Sequence, residues 1–430
     1  MPATSTSPAA GQVEVRTDAS VISYLAYLGI LLAVGIDISL PAFDELDAAF
    51  GLSDRGVSVG VVGTVYILGM AIGQLVFGVA SDRFGRRSTM LFGIGLYSVG
   101  VLTAIFATSL EVLLAGRLLW GLGAAAPFVL RQAIARDLYD GDRMARIITI
   151  VTAVFLLGPI FVPIVGAGIL LFAPWQGVFA AALIASAAAW VWTLRFGETL
   201  AVDERRPLQV RPLLDALRLV VTTRVTIGHI GAQTFASAAF FIWLGSAQPI
   251  IDDIYDRGSQ FAFWFAASGV VIALALLANG RMIGRFGARR VAVAVSSAFV
   301  VVGVVGVAVT FAASGVPSIW AFFAWAAITN ALGTLVTPLC TSLALEPMGA
   351  LAGTASAVLG ALSLGGGALL AAVVDARIGA TVTPMVVGSL LFGTTGLALL
   401  LWAGAPSRST PRRRRPRSST RSPVTTSPTR

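Results

Sequence analysis

The feature that most narrows the possible folds is a recurrence of apolar runs, each about twenty residues long and closed by a short polar break. A helix rises about 1.5 Å per residue, so a run of this length crosses the roughly 30 Å of hydrocarbon in a bilayer. With 57% of its 430 residues hydrophobic and only 12% charged, the chain has too little polar surface to cover itself as a soluble globule. Inside lipid every backbone polar group needs an internal partner, which leaves the helix as the spanning element for such runs. The breaks place spans near 21–43, 57–80, 88–108, 111–135, 144–171, 176–196, 225–250, 259–280, 290–313, 317–344, 350–374 and 381–403, twelve in all. The expected fold class is an all-α membrane protein.

One of the breaks is repeated. Gly78 to Arg87 reads GVASDRFGRR, and Gly280 to Arg290 reads GRMIGRFGARR; aligning Arg83 with Arg285 sets the copies 202 residues apart, about half the chain. A charged turn recurring at half-length is the mark of a duplicated bundle. Twelve spans therefore divide into two pseudo-symmetric six-helix bundles, expected at 21–196 and 224–404 and joined by a polar linker at 197–223. Within that linker, RPLLDALRLV at 211–220 has apolar residues at helical spacing and is suited to lie along the inner leaflet. Residues 1–20 are rich in Ser, Thr, Pro and Ala, and residues 405–430 in Arg, Pro and Ser; both are expected to be disordered.

Arginine sets the expected orientation. With the N-terminus inside, the outer breaks hold only Arg55, Arg257 and Arg377 against nine acids (Asp44, Glu45, Asp47, Asp54, Glu111, Asp252, Asp253, Asp256 and Asp375). Basic residues stay cytoplasmic, so both termini are expected inside, in a multi-pass protein of the inner (plasma) membrane. The run PRRRRPR at 411–417 then reads as a tail held near anionic lipid, with no nucleic-acid partner implied. All thirty Lys and Arg residues are Arg, which closes chemistries that need a lysine, such as a P-loop or a Schiff base. One His and one Cys leave no ligand set for zinc, haem or an iron–sulfur cluster. The expectation is no cofactor and no metal, and no enzyme either, because no nucleophile, base and orienting group converge in the spans.

At this point the motifs carry a resemblance. GVASDRFGRR resembles the loop signature of the major facilitator superfamily, and GIDISLPAF, AGRLLWGLGAA and GPIFVPIVGAG in the first, fourth and fifth spans resemble motifs of its drug/proton antiporters. AFFIWLGSAQP and ALAGTASAVLGALSLGGG in the seventh and eleventh spans are similar to the bicyclomycin and chloramphenicol-resistance branch. Val154 and Ala167 stand where the longer antiporter motif carries glycine, while Pro159, Pro163 and Gly166 follow the bicyclomycin-type spacing. The resemblance implies a proton-coupled exporter of drugs or small amphipathic compounds, working by alternating access. A proton-coupled importer of a sugar or other small metabolite is the alternative. Implied partners are a small-molecule substrate, protons and the lipid bilayer, for a monomer.

The residues themselves point to candidate sites. A charge inside a membrane helix costs about 2.5–3.5 kcal/mol on insertion scales, so it has a partner, water or a purpose. Asp37 lies six residues from Phe43 at the end of the first span, and Arg117 six from Glu111 at the start of the fourth, which puts both about 9 Å below the outer surface. Opposite charges at equal depth are expected to face each other or a shared substrate, with Asp37 as the proton carrier; a structural ion pair is the other reading. Arg131 either extends a polar track inward or reaches the inner headgroups or Asp137. Gln74, Gln132, Gln233, Gln248, Phe240 and Phe241 are cavity candidates, and His229 is expected as an interfacial residue.

In the loop, Gly78 is expected to permit close helix approach, Asp82 to sit at a helix N-terminus, and Arg83, Arg86 and Arg87 to pair with acids such as Asp137. With Gly85 these form a cytoplasmic latch. In the fifth span Pro159 and Pro163 bend the helix while Gly158, Gly166 and Gly168 admit a neighbour.

Overall fold

The structure, a computed structural model, describes residues 17–205 and 211–404. Most of the tails expected to be disordered, 1–16 and 405–430, lies outside the described residues. Among the described residues there is no strand, and twelve helices are long and apolar enough to cross a membrane.

The first half comprises α1 (Asp18–Asp37), the short α2 (Phe43–Phe50), α3 (Val61–Phe84), α4 (Arg86–Ile105), α5 (Leu110–Leu138), α6 (Gly141–Leu170) and α7 (Trp175–Phe196). An amphipathic α8 (Arg211–Thr222) leads into α9 (Arg224–Pro249), α10 (Phe261–Phe286), α11 (Ala288–Ala312), α12 (Ile319–Leu345), α13 (Ala352–Asp375) and α14 (Thr383–Gly404). Helix α1 begins earlier than composition suggested. Thr17 accepts from the Ser20 amide, and Asp18 accepts from Arg143 Nη2 at 2.7 Å and from the Tyr139 hydroxyl at 3.0 Å. Those contacts draw 18–20 out of the expected tail. The first apolar run is also interrupted: α1 stops at Asp37 because Pro41, four residues on, has no N–H for the Asp37 carbonyl and its ring crowds that oxygen.

The sequence repeat has a backbone counterpart. Gly85 and Gly287, 202 residues apart, break their hairpins at φ +88° and +82°, a region closed to residues with a Cβ. Between helices the glycines act differently. A Cβ on Gly121 would lie 1.9 Å from the Tyr66 carbonyl oxygen, and one on Gly69 2.2 Å from that of Leu118, so α3 and α5 touch backbone to backbone. Gly100, Gly123 and Gly116 do the same between α4 and α5. Small residues give membrane helices their packing, since lipid supplies no hydrophobic drive.

The two ends of the bundle differ in charge. One carries the acids at 44–54, 111 and 252–256 and is called the acidic end here; the other carries Arg83–Arg87 and Arg285–Arg290 and is called the basic end. Among the described residues, a single buried apolar cluster runs through the first half and continues into the second half only near the acidic end. There Leu40, Phe43, Val59 and Val62 join Trp243, Ala247, Ile251, Phe265 and Ala371. At the basic end the second half keeps separate clusters, one around Val291, Val336 and Leu339 and another around Val220, Ile230 and Val358, and none of their fully buried members comes from the first half. The acidic end is therefore closed by continuous packing across the halves. Helix α8 buries Val220 against α13 and leaves Leu214, Leu217 and Val221 exposed, an apolar face at the level of the basic end.

Candidate functional site

Asp37 sits at the break where α1 ends. Its side chain is only 4% exposed, yet no hydrogen bond or ion pair to it is found among the described residues. Arg117, fully buried on α5, does not pair with it. The guanidinium donates from Nε to the Val62 carbonyl and from Nη1 to the Gly35 carbonyl, both at 3.1 Å, and its Nη2 has no partner among the described residues. Three rings surround the cation: Tyr66, Trp120 and Phe179, with centroids 4.9, 4.7 and 5.8 Å from Cζ. The expected face-to-face pair is corrected to a different arrangement. Arg117 holds the backbone of α1 two residues before Asp37, together with the start of α3, and leaves the carboxyl unpaired.

Tyr66 connects the two. Its hydroxyl lies so close to Gly35, two residues before Asp37, that a Cβ there would sit 2.2 Å from it; it has no hydrogen-bond partner among the described residues, and its ring lies against the Arg117 guanidinium. An aromatic chain then fixes Tyr66, since Trp120 meets Tyr66, Tyr97 and Phe179 edge to face at 6.0, 5.4 and 5.3 Å. Sequence reading missed Tyr66. The signal was a tyrosine within an otherwise apolar span, which needs a polar partner or water.

Arg131 neither reaches the basic-end surface nor pairs with Asp137. Side chains lean toward a helix's N-terminus, here the acidic end, and Arg131 follows, lying over the Phe128 and Phe155 rings at 5.1 and 4.9 Å with Nη1 against Gly29. Asp137 is taken by Arg86, whose Nε donates to it at 2.9 Å while Nη1 donates to Asp82 at 2.6 Å and to Ser81 at 2.8 Å. Asp82 therefore pairs within its own loop instead of capping a helix. The carboxylate at the start of α4 is Glu198, which accepts from the Arg86 and Arg87 amides at 2.8 and 3.3 Å and pairs with Arg205. Its remoteness in sequence hid it. Arg87 donates to the Leu194 carbonyl, and Arg83 is exposed with no ion pair among the described residues.

The other candidates are scattered. Gly158 and Gly166 pack against α1 and its extension, where a Cβ would lie 2.5 Å from the Ala33 Cβ and from the Ile38 carbonyl respectively. Gly78 and Gly168 make no such approach: the nearest atom to a Cβ on Gly78 is Val129 at 3.8 Å, and Gly168 has nothing within 4 Å. Pro159 and Pro163 lie inside α6. Gln233 is tied to α12 by the Thr341 hydroxyl at 3.0 Å, and His229 to its own helix at the Val225 carbonyl. Phe240 and Phe241 are half-buried neighbours, Phe241 touching Gly367 of α13. Gln248 belongs to the acidic end, within side-chain reach of Asp44. Gln74 faces Gly360 across the halves, with Nε2 buried and unpartnered among the described residues.

The structure thus brings together Asp37, Tyr66 and Arg117, and separately Gly85, Arg86, Asp82 and Asp137 with Glu198. The comparisons agree with this architecture. The sequence profile of the Major Facilitator Superfamily matches residues 25–369. A bicyclomycin resistance protein homolog of Haemophilus influenzae is 27% identical, over 84% of this chain and 90% of the relative. A chloramphenicol resistance protein of Pseudomonas aeruginosa is 28% identical, over 89% of this chain and 90% of its own. Among solved structures, a D-xylose–proton symporter superposes with a TM-score of 0.71 at 14% identity, covering 90% of this chain and 98% of that one. With twelve membrane-length helices, a duplicated basic turn and a profile match over most of its length, this chain belongs to the Major Facilitator Superfamily.

Proposed function

We propose that this transporter exports small amphipathic drugs in exchange for protons, with Asp37 carrying the proton. The observation that carries the reading is the buried Asp37 carboxyl at the end of α1, without a partner among the described residues, while Arg117 is committed to the Gly35 and Val62 carbonyls. A carboxylate held this way has little to stabilise its charge beyond whatever water or cargo reaches it, so its proton follows occupancy. Arg117 is a positioning residue: it fixes the backbone on which Asp37 stands. The resistance named in both relatives favours export, whereas the importer reading rests on shared fold alone.

The acidic end is taken as the outside, on the excess of acids over Arg there, with both termini cytoplasmic. The halves 21–196 and 224–404 then rock about their seam as a monomer. Because Arg86, Asp137, Thr199 and Glu198 form one network, with Thr199 Oγ1 donating to Asp137 at 3.1 Å, movement at the basic end is coupled to the linker that starts at 197. The test is substrate-driven proton release in inverted membrane vesicles holding an acid interior, with chloramphenicol as first probe. Added drug partly collapses the gradient if the reading is right; no collapse across a panel of cationic, neutral and anionic drugs, with growth on a sugar lost on gene deletion, favours import.

A further inference from the structure

Asp375 ends α13 and was expected in an outer loop, but it is 4% exposed and sits in the seam between the halves. Ser246 of α9 donates its hydroxyl to Oδ1 at 2.6 Å. Oδ2 faces two glycines from opposite halves: a Cβ would lie 3.3 Å from it on Gly60, just before α3, and 2.7 Å from it on Gly245 of α9. Those glycines also touch each other, a Cβ on Gly245 lying 3.4 Å from the Gly60 Cα. The carboxyl is thus walled in by backbone that only glycine leaves open.

Nothing charged answers it. Among the described residues no ion pair reaches Asp375, and only burial and the Ser246 hydroxyl act on it. Helix α9 presents Gly245 and Ser246, the start of α3 presents Gly60, and α14 packs Gly388 against Val374, so no titratable group faces it from these elements. The nearby acids form their own group, with Asp44 in side-chain reach of Asp252 and Gln248; Arg377 donates to the Val373 carbonyl and is exposed. Burying a carboxylate with one neutral donor is costly, and a neutral carboxylic acid avoids that cost. When Gly60 and Gly245 part, water reaches Oδ2 and the cost vanishes.

We propose that Asp375 is a second proton-binding carboxyl, loaded from the outside as the acidic-end seam closes. This rests on the orientation and proton coupling proposed above. By linkage, a seam that takes up one proton on closing shifts its open-to-closed ratio about tenfold per pH unit across the transition. Outside acid thus drives the turn toward the cytoplasm. Asp375 acts on the gate, and Asp37 on the exchange.

The experiment is labelling of Val59→Cys, buried in the closed seam, in a Cys340→Ser background, with a membrane-impermeant maleimide applied outside at pH 6 to 8. Rates are divided by those of Thr108→Cys, exposed at the same end, which removes the reagent's own pH dependence. The normalised rate is expected to rise steeply with pH in the parent, and to be low and flat in Asp375→Asn, which mimics the neutral acid. Asp375→Ser, which removes the acid with a smaller side chain, is likewise expected to be flat. Asp44→Asn, in the separate acid group, is expected to keep the slope. A parent-like slope in both Asp375 variants, or a flat parent, overturns the proposal. Because labelling needs no drug, failure of drug-driven proton release with the labelling pattern intact refutes export and leaves Asp375 in place.

Discussion

Gly121→Ala is the sharpest test of how the first half is packed. The added Cβ would stand 1.9 Å from the Tyr66 carbonyl oxygen and 3.1 Å from the Met70 amide nitrogen. Carbon and oxygen approach no closer than about 3.3 Å in ordinary contacts, so α3 must retreat by about 1.4 Å from α5. The obstacle is backbone, which no rotamer change relieves, and overpacking of this kind costs about 1–3 kcal/mol, here at the upper end. The retreat would also carry Tyr66 and the Val62 carbonyl away from Arg117. The assay is the thermal midpoint of the purified protein in detergent, with Gly78→Ala as control, since a Cβ there meets only Val129 at 3.8 Å. A clear fall for Gly121→Ala and no change for Gly78→Ala is expected; equal midpoints, or the reverse order, would refute the reasoning.

Three further outcomes follow. Glu198→Ala removes the carboxylate that receives the Arg86 and Arg87 amides and is expected to lower the same midpoint by the equivalent of about 1–2 kcal/mol, with Glu198→Gln in between. Asp137→Ala is expected to cost more than Asp82→Ala, because Asp137 is 13% exposed and Asp82 49%, and exposed pairs contribute only about 0–1 kcal/mol; equal midpoints would count against the network. Arg117→Lys keeps a charge but lacks the fork that reaches two carbonyls, so drug-driven proton release is expected to fall at least roughly tenfold, and further in Arg117→Leu; a fully active Leu variant would remove Arg117 from positioning.

Much of the architecture was legible because its causes are local. Span length and the polar breaks are written into consecutive residues, and Gly85 with Gly287 kept a visible repeat because both must hold a positive φ. Pro159, Gly158 and Gly166 likewise announced a helix made for close packing. The site was less legible, because it depends on which way side chains turn. Depth alone placed Asp37 opposite Arg117, yet depth says nothing of rotation about the helix axis, and Arg117 turns to the carbonyls of Gly35 and Val62. Glu198 was hidden by the more than one hundred residues between it and the turn it caps, and Tyr66 showed only as a tyrosine in an apolar span. Asp375 looked like a loop acid until the halves closed over it.

The account turns on Asp37. In inverted vesicles of equal protein content, the parent is expected to couple drug entry to proton release, and Asp37→Asn to lose that coupling while still binding drug, because the amide fills the same space without a proton to exchange. Undiminished drug-driven collapse of the pH gradient in Asp37→Asn would contradict it.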